Sequence, residues 1–357
     1  MKKFSDVSEL PALPEAAVGY SAGGAYGAAG HGATIRLVEA GVFDRLNIKA
    51  ISGNSAGSWN GVALAHGLAQ ENDQLISAIQ AQNAIWDAVK RDGSTQSVAR
   101  HMFQGVTGHH PHSSSLHPAE ELLAESAAQT LDLMASFARF SPLGMVIKST
   151  NDNNRDRVKG IIDFDAVNAS DVQFYSGALA KNRRELTEVI TRNGEHSPDT
   201  IAASSAYVSP HNINGVAHVD GGIQKAMPIQ VMEENNFQHL IVFGEAPDDG
   251  ILLHPIHQSE KTMQDGLPHA SRELAHHLAF LSGHKPYKIH FIDFHLPSDE
   301  SGRKIYTTAH IDRLIGHGYQ RADTLLERFG NDITSWPGFS VDTYSVHREH
   351  DRAAALG

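Results

Sequence analysis

Residues Asn47-Ile48-Lys49-Ala50-Ile51-Ser52-Gly53-Asn54-Ser55-Ala56-Gly57 decide how this chain is read. Asn47 to Ser52 is a short strand by composition, and Ala56 to Leu68 has the small and apolar residues of a buried helix. Between them lies G-x-S-x-G. Gly53 and Gly57 carry no side chains where a sharp strand-to-helix turn brings the two backbones together. Ser55 then stands at the first turn of a helix, where the dipole favours nearby negative charge. The pentapeptide alone also fits an ordinary strand-to-helix turn, so its weight comes from the strand before it and the helix after it.

Working outward, Ala16 to Tyr20 is a second strand that runs into a glycine-rich stretch, Tyr20 to Gly32. A helix is expected over Ala28 to Ala40, stopped by Gly41. The glycine stretch admits two readings. As a dinucleotide fingerprint it fits poorly, because Ala22 breaks the G-x-G-x-x-G spacing and no acid follows at the end of the next strand. As an oxyanion loop it fits better: the backbone N–H groups of Gly23, Gly24 and Ala25 can converge on one point.

Downstream, Asp220-Gly221-Gly222 follows the strand-like run Ala217 to Val219. An Asp before two glycines is often only a turn. A carboxylate is also a weak base at its usual pKa, about 3.9. Burial beside Ser55 would raise it into a useful range, and no other acid of the chain has comparable local context.

Further strands are expected at Val172 to Ser176, Leu186 to Ile190, His239 to Phe243 and Lys288 to Ile292, and a last helix at Ala309 to Phe329. Strand, glycine turn, helix, strand, elbow, helix predicts an α/β architecture with a mostly parallel sheet. Residues from about 70 to 160 break that rhythm with helical patterning, including a helix begun by Pro118-Ala119-Glu120-Glu121 and an apolar cluster from Phe137 to Ile147. This insertion reads either as a helical subdomain packed on the sheet or as a cap over an acyl-chain pocket with transient membrane-interface contact. The expected organisation is a lead-in at 1–15, one domain at 16–335 carrying the insertion, and a peripheral tail at 336–357.

Composition bounds the function. With 41% hydrophobic residues the chain can bury a sizeable core, and a formal charge of -12 argues against a nucleic-acid footprint. The absence of cysteine excludes disulfides and thiolate chemistry. The first residues lack the apolar core of a cleaved signal, so a cytoplasmic protein is expected, with signal-less secretion left open.

The glycine-rich loop, G-x-S-x-G and Asp-Gly-Gly, in this order, resemble the patatin-like phospholipases. The small-residue stretch Ala202-Ala203-Ser204-Ser205-Ala206 upstream of the Asp matches as well. The resemblance runs from about 16 to 245. It implies a three-layer α/β/α sandwich and a carboxylic ester hydrolase acting on lipid acyl esters. It further implies catalysis by a Ser55–Asp220 dyad without histidine, an oxyanion hole at Gly23, Gly24 and Ala25, motif glycines at Gly53, Gly57, Gly221 and Gly222, and no metal or other cofactor. Three positions depart from the family pattern: Ala22 replaces a glycine, Tyr26 replaces a basic residue, and Ala226 replaces an Asn, while Pro228 is kept. Loss of the cation points to a neutral ester or lipid substrate. An acyltransferase on the same site and a non-catalytic lipid- or partner-binding scaffold are the alternatives.

The chain has 23 histidines. His109-His110-Pro111-His112 has metal-ligand residue types but lacks a helical acid–His frame, and surface loop histidines are the simpler reading. A Ser-Asp-His triad with His310, His317 or His347 has the right chain order but no distinctive histidine turn.

Overall fold

The computed structural model describes residues 12–107, 154–182, 185–206, 210–223, 225–228, 232, 234–244, 287–294, 306–337 and 339–341. In chain order its elements are β1 (Glu15–Tyr20), α1 (Gly27–Glu39), β2 (Asn47–Gly53), α2 (Ala56–Leu68), α3 (Gln74–Thr107), α4 (Phe164–Ala169), β3 (Gln173–Asn182) and β4 (Glu185–Thr191). Then come α5 (Pro198–Ser204), β5 (His211–Ile213), β6 (Val216–Asp220), β7 (His239–Gly244), β8 (Lys288–Asp293), α6 (Thr308–Phe329) and β9 (Phe339–Val341).

The strands form one mixed, mostly parallel sheet flanked by helices, as expected. The run β3-β2-β1-β7-β8-β9 is parallel throughout. β4 and β6 pair antiparallel with β3, and β5 with β6. β2 and β6 lie end to end along the same edge of β3. β2 covers Gln173–Ser176 and stops at Gly53, β6 covers Ala178–Lys181 starting from Asp220, and β4 takes the opposite edge. The sequence foresaw only the first half of β3. The β5–β6 hairpin turns at Asn214-Gly215, both with positive φ (52° and 82°), a two-residue turn whose Asn-Gly signature is plain in the sequence.

Both faces of the parallel strands are covered, so their apolar residues serve two cores. On β1, Ala16, Val18 and Tyr20 face the larger core, while Ala17 faces the smaller one. On β7, Ile241 and Phe243 split from Leu240 and Val242 in the same way. This is why such strands read as continuous apolar runs rather than alternating ones. The larger core takes Leu37 of α1, Leu64 of α2, Ile85 and Trp86 of α3, and Leu314 and Leu325 of α6. The smaller core is closed by Ala226, Met227, Met232 and Phe237.

Two expectations bear on the periphery. The insertion begins as α3, a 34-residue helix whose first turns pack into the main core; the Pro118 helix and the 137–147 cluster lie outside the described residues. The tail expected from Trp336 is not peripheral at its start. Trp336 is buried, its indole N–H donates to the Gly330 carbonyl at 3.0 Å, and Phe339–Val341 adds a parallel strand to β8. An indole has too much apolar area to leave in water when a sheet edge is within reach.

Helices α1 and α6 meet backbone to backbone. A Cβ on Gly32 would run into the Ile315 carbonyl, and one on Gly318 into the Ala29 carbonyl. Neither obstacle is a flexible side chain, so the helices must part to admit a methyl group. Gly318→Ala is expected to lower unfolding free energy by about 1–3 kcal/mol, read as a shift in the urea midpoint, whereas Gly316→Ala, with open space around it, is expected to be neutral or stabilising.

Candidate active site

The site lies where β1, β2 and β6 end. A Cβ on Gly53 would run into the Gly57 carbonyl, and one on Gly57 into the Tyr20 carbonyl. The first turn of α2 therefore rests directly on the ends of β1 and β2. So tight a reversal forces Ser55 to φ 53°, ψ -131°, a left-handed conformation for a residue with a side chain. Such strain costs about 1–3 kcal/mol and persists only where neighbours hold it. Here the Ser55 N–H donates to the Ser204 carbonyl at 3.0 Å, and the Ser58 hydroxyl donates to the Ser55 carbonyl at 2.6 Å.

Asp220 ends β6, and its N–H donates to the Ala206 carbonyl at 3.2 Å. The C-terminal end of α5 thus anchors both residues, Ser55 through Ser204 and Asp220 through Ala206. α5 is itself well begun, with a Ser197–Thr200 capping box and Pro198 in its first turn. The Ser55 hydroxyl donates to Asp220 Oδ2 at 2.6 Å, and the Gly222 N–H donates to Asp220 Oδ1 at 2.7 Å. Asp220 is 2% exposed. Burial pushes its carboxyl from 3.8 up to about 7, overcoming the two hydrogen bonds that favour the anion.

The glycine loop closes a third side. A Cβ on Gly222 would run into the Ala22 side chain and lie 3.3 Å from the Ser55 Cβ. A Cβ on Gly27 would stand 2.6 Å from the Ala56 Cβ, against the residue that follows Ser55. Gly24 has φ +59°, opening a single 3-10 turn over Gly24–Tyr26. Ala22 donates its N–H to the Ala226 carbonyl at 2.7 Å, whereas the N–H groups of Gly23, Gly24 and Ala25 donate to no acceptor among the described residues. Loop, elbow and Asp-Gly-Gly turn, far apart in sequence, are thus brought together.

Sequence reasoning missed Asn54. It is 1% exposed, accepts from the Gly177 N–H at 2.7 Å and donates to the Lys225 carbonyl at 2.9 Å. The signal that could have found it is Gly177, just past the expected strand end and inside the observed β3, since a strand glycine often marks a close approach. The described candidate histidines lie elsewhere. Both Asp220 oxygens are taken by Ser55 and Gly222, and His310 and His317 sit on α6. His347 and the 109–117 histidines lie outside the described residues. His196, His239 and His290 are held neutral chiefly by burial, at about 4, about 4 and about 3. Among the described residues no three acid or histidine side chains gather as a metal site.

A family model described as patatin-like phospholipase matches residues 20–232, a span that holds the loop, the elbow, α3, α5 and the Asp-Gly-Gly turn. The chain belongs to the patatin-like phospholipase family, a family of lipid hydrolases. No curated protein matches it. Among solved structures, VipD from Legionella pneumophila is 13% identical over 96% of this chain and 74% of that one, with a TM-score of 0.37. A structure of the ExoU–SpcU complex from the type III secretion system of Pseudomonas aeruginosa is 18% identical over 87% of this chain and 52% of that one, with a TM-score of 0.28.

The three positions read from the sequence as departures lie in different surroundings. Tyr26 is 6% exposed and lies in the larger core, whereas Ala226 lies in the smaller one. Ala22 and Ala226 are joined by their backbone hydrogen bond.

The raised Asp220 carboxyl has a consequence for stability. A carboxyl whose folded pKa lies above its unfolded value loses stability as pH rises between the two, here from about 4 to about 7. Asp220→Asn removes that penalty while keeping an acceptor for Gly222. Urea unfolding is expected to show the variant gaining on wild type across this window, by about 2–4 kcal/mol at pH 8, with no further gain above it.

Proposed function

We propose that this chain is a serine lipid acyl hydrolase of the phospholipase A or lysophospholipase type, with Ser55 as nucleophile and Asp220 as its base. The observation that carries the reading is the 2.6 Å hydrogen bond from the strained Ser55 hydroxyl to a buried carboxylate, within a patatin-like phospholipase chain. A serine hydroxyl needs such a base, and a desolvated Asp near neutrality is matched to the task.

The steps follow. Ser55 Oγ bonds to the acyl carbonyl carbon as its proton passes to Asp220, and the carbonyl electron pair moves onto oxygen. The N–H groups of Gly23, Gly24 and Ala25, which hold no acceptor of their own among the described residues, receive that oxyanion. The pair returns, the carbon–oxygen bond to the leaving alcohol breaks, and Asp220 gives the alcohol its proton. Water then loses a proton to Asp220 and attacks the acyl-Ser55 ester. A fatty acid leaves, and Ser55 regains its proton. With Tyr26 buried and uncharged where the family carries a cation, the favoured substrate is a neutral ester. Lipid is the expected partner, met at a membrane or micelle surface.

Labelling with a fluorophosphonate probe tests the reading. Wild type is expected to label, and Ser55→Ala and Asp220→Ala to lose both labelling and hydrolysis of lipid esters. The rate is expected to climb with pH through about 7 as Asp220 ionises, then level off. Unlabelled but folded wild type would favour the scaffold, and acyl transfer to an added alcohol in preference to water would favour the acyltransferase.

A further inference from the structure

The mechanism above does not use Asn54, yet its buried amide is hydrogen-bonded at both ends. β2 leaves β3 at the pair Gly53↔Ser176, and β6 joins the same edge of β3 at Asp220↔Ala178. Gly177 lies between and pairs with neither, so its N–H faces a one-residue break in the sheet. A backbone N–H buried there without an acceptor would cost a lost hydrogen bond. Asn54 Oδ1 supplies the acceptor at 2.7 Å, standing in for a strand carbonyl. Its Nδ2 donates at 2.9 Å to the Lys225 carbonyl, on the segment that follows Asp220. The space is filled to contact: a Cβ on Gly177 would lie 2.8 Å from Asn54 Oδ1, and one on Gly221 would run into the Gly177 carbonyl.

We propose that Asn54 is a positioning residue: its side-chain amide fills the break between β2 and β6 and thereby sets the separation of Ser55 from Asp220. This rests on the dyad proposed above. The amide is specific to the role, since the break demands an acceptor on one side and a donor on the other. Asp in its ionised form lacks the donor, Leu has neither, and Gln is one methylene too long for the space. Two charged side chains flank the break among the described residues: Asp220, paired with Ala178 at the end of β6, and Lys225, whose Nζ turns to Glu188 of β4 at 2.7 Å.

The test compares wild type, Asn54→Ala, Asn54→Asp and Gly177→Ala. Two readouts are taken: kcat and KM against pH on a short-chain nitrophenyl ester, and the titration of the Asp220 carboxyl by carbon-13 NMR, assigned from Asp220→Asn. Asn54→Ala is expected to lose roughly tenfold to a hundredfold in kcat with KM little changed. Its Asp220 midpoint is expected to fall from about 7 towards the ordinary carboxylate range as water enters the break. Asn54→Asp mimics the amide only while protonated, so its kcat is expected to gain an alkaline descending limb that wild type lacks. Gly177→Ala displaces the amide from the other side and guards against a poorly folding Asn54→Ala. Unchanged kcat, pH profile and Asp220 midpoint in the folded variants would overturn the proposal. If wild type neither hydrolyses the ester nor labels with fluorophosphonate, the dyad reading fails by itself. The Asp220 midpoint then decides the positioning role: moved in the variants it stands, unmoved it falls.

Discussion

β3 outruns β2, and the site is built in the space this leaves. β2 turns away at Gly53 into the elbow, and β6 arrives from the opposite direction along the vacated edge, ending at Asp220. Ser55 and Asp220, 165 residues apart in sequence, therefore meet at one break in one strand edge. A parallel strand cannot return on itself without a long crossover, whereas an antiparallel one enters from a short hairpin. The β5–β6 hairpin at Asn214-Gly215 supplies that entry, so the mixed character of the sheet is a condition for the two residues to meet.

The energetics at this break run against stability. Ser55 is held in a conformation that side chains avoid, and Asp220 is a carboxylate stripped of water. Each is sustained by neighbours with no part in the proposed chemistry: the Ser204 and Ala206 carbonyls at the end of α5, and the Gly222 N–H. Sites that do chemistry commonly carry strain and perturbed acids that the rest of the fold must offset.

A second buried network reaches outward from the glycine loop. Asn60 of α2 donates to the Gly27 carbonyl at 2.7 Å and accepts from the Trp86 indole at 2.9 Å. Its own carbonyl accepts from Gln82, which in turn meets His31 of α1. The start of the insertion is thereby fastened to the two helices that follow the loop and the elbow. Asn60 closes the Gly27 end of the loop as Asn54 closes the break beside the elbow. In both places an amide serves because a donor and an acceptor must be met at once: two backbone groups at Asn54, the Trp86 indole and the Gly27 carbonyl at Asn60.

The sequence by itself determined the parts whose signals are local. Strand–turn–helix alternation around Gly53 to Gly57 announced a parallel α/β sheet, and the three glycine-marked motifs named Ser55, Asp220 and the loop, because close backbone approach demands glycine wherever it occurs. Some ends of elements were also near, with α2 read at its observed bounds. Only the tertiary structure decided which partners those residues have. That β3 runs on past Ser176, that Trp336 is buried and followed by a ninth strand, that Asn54 stands in for a strand carbonyl, and that Ser204 and Ala206 anchor the two ends of the site all depend on contacts between distant segments. No periodicity records such contacts, since an amide in a motif's variable position or a serine in a small-residue run looks the same in sequence whether or not a distant backbone group needs it.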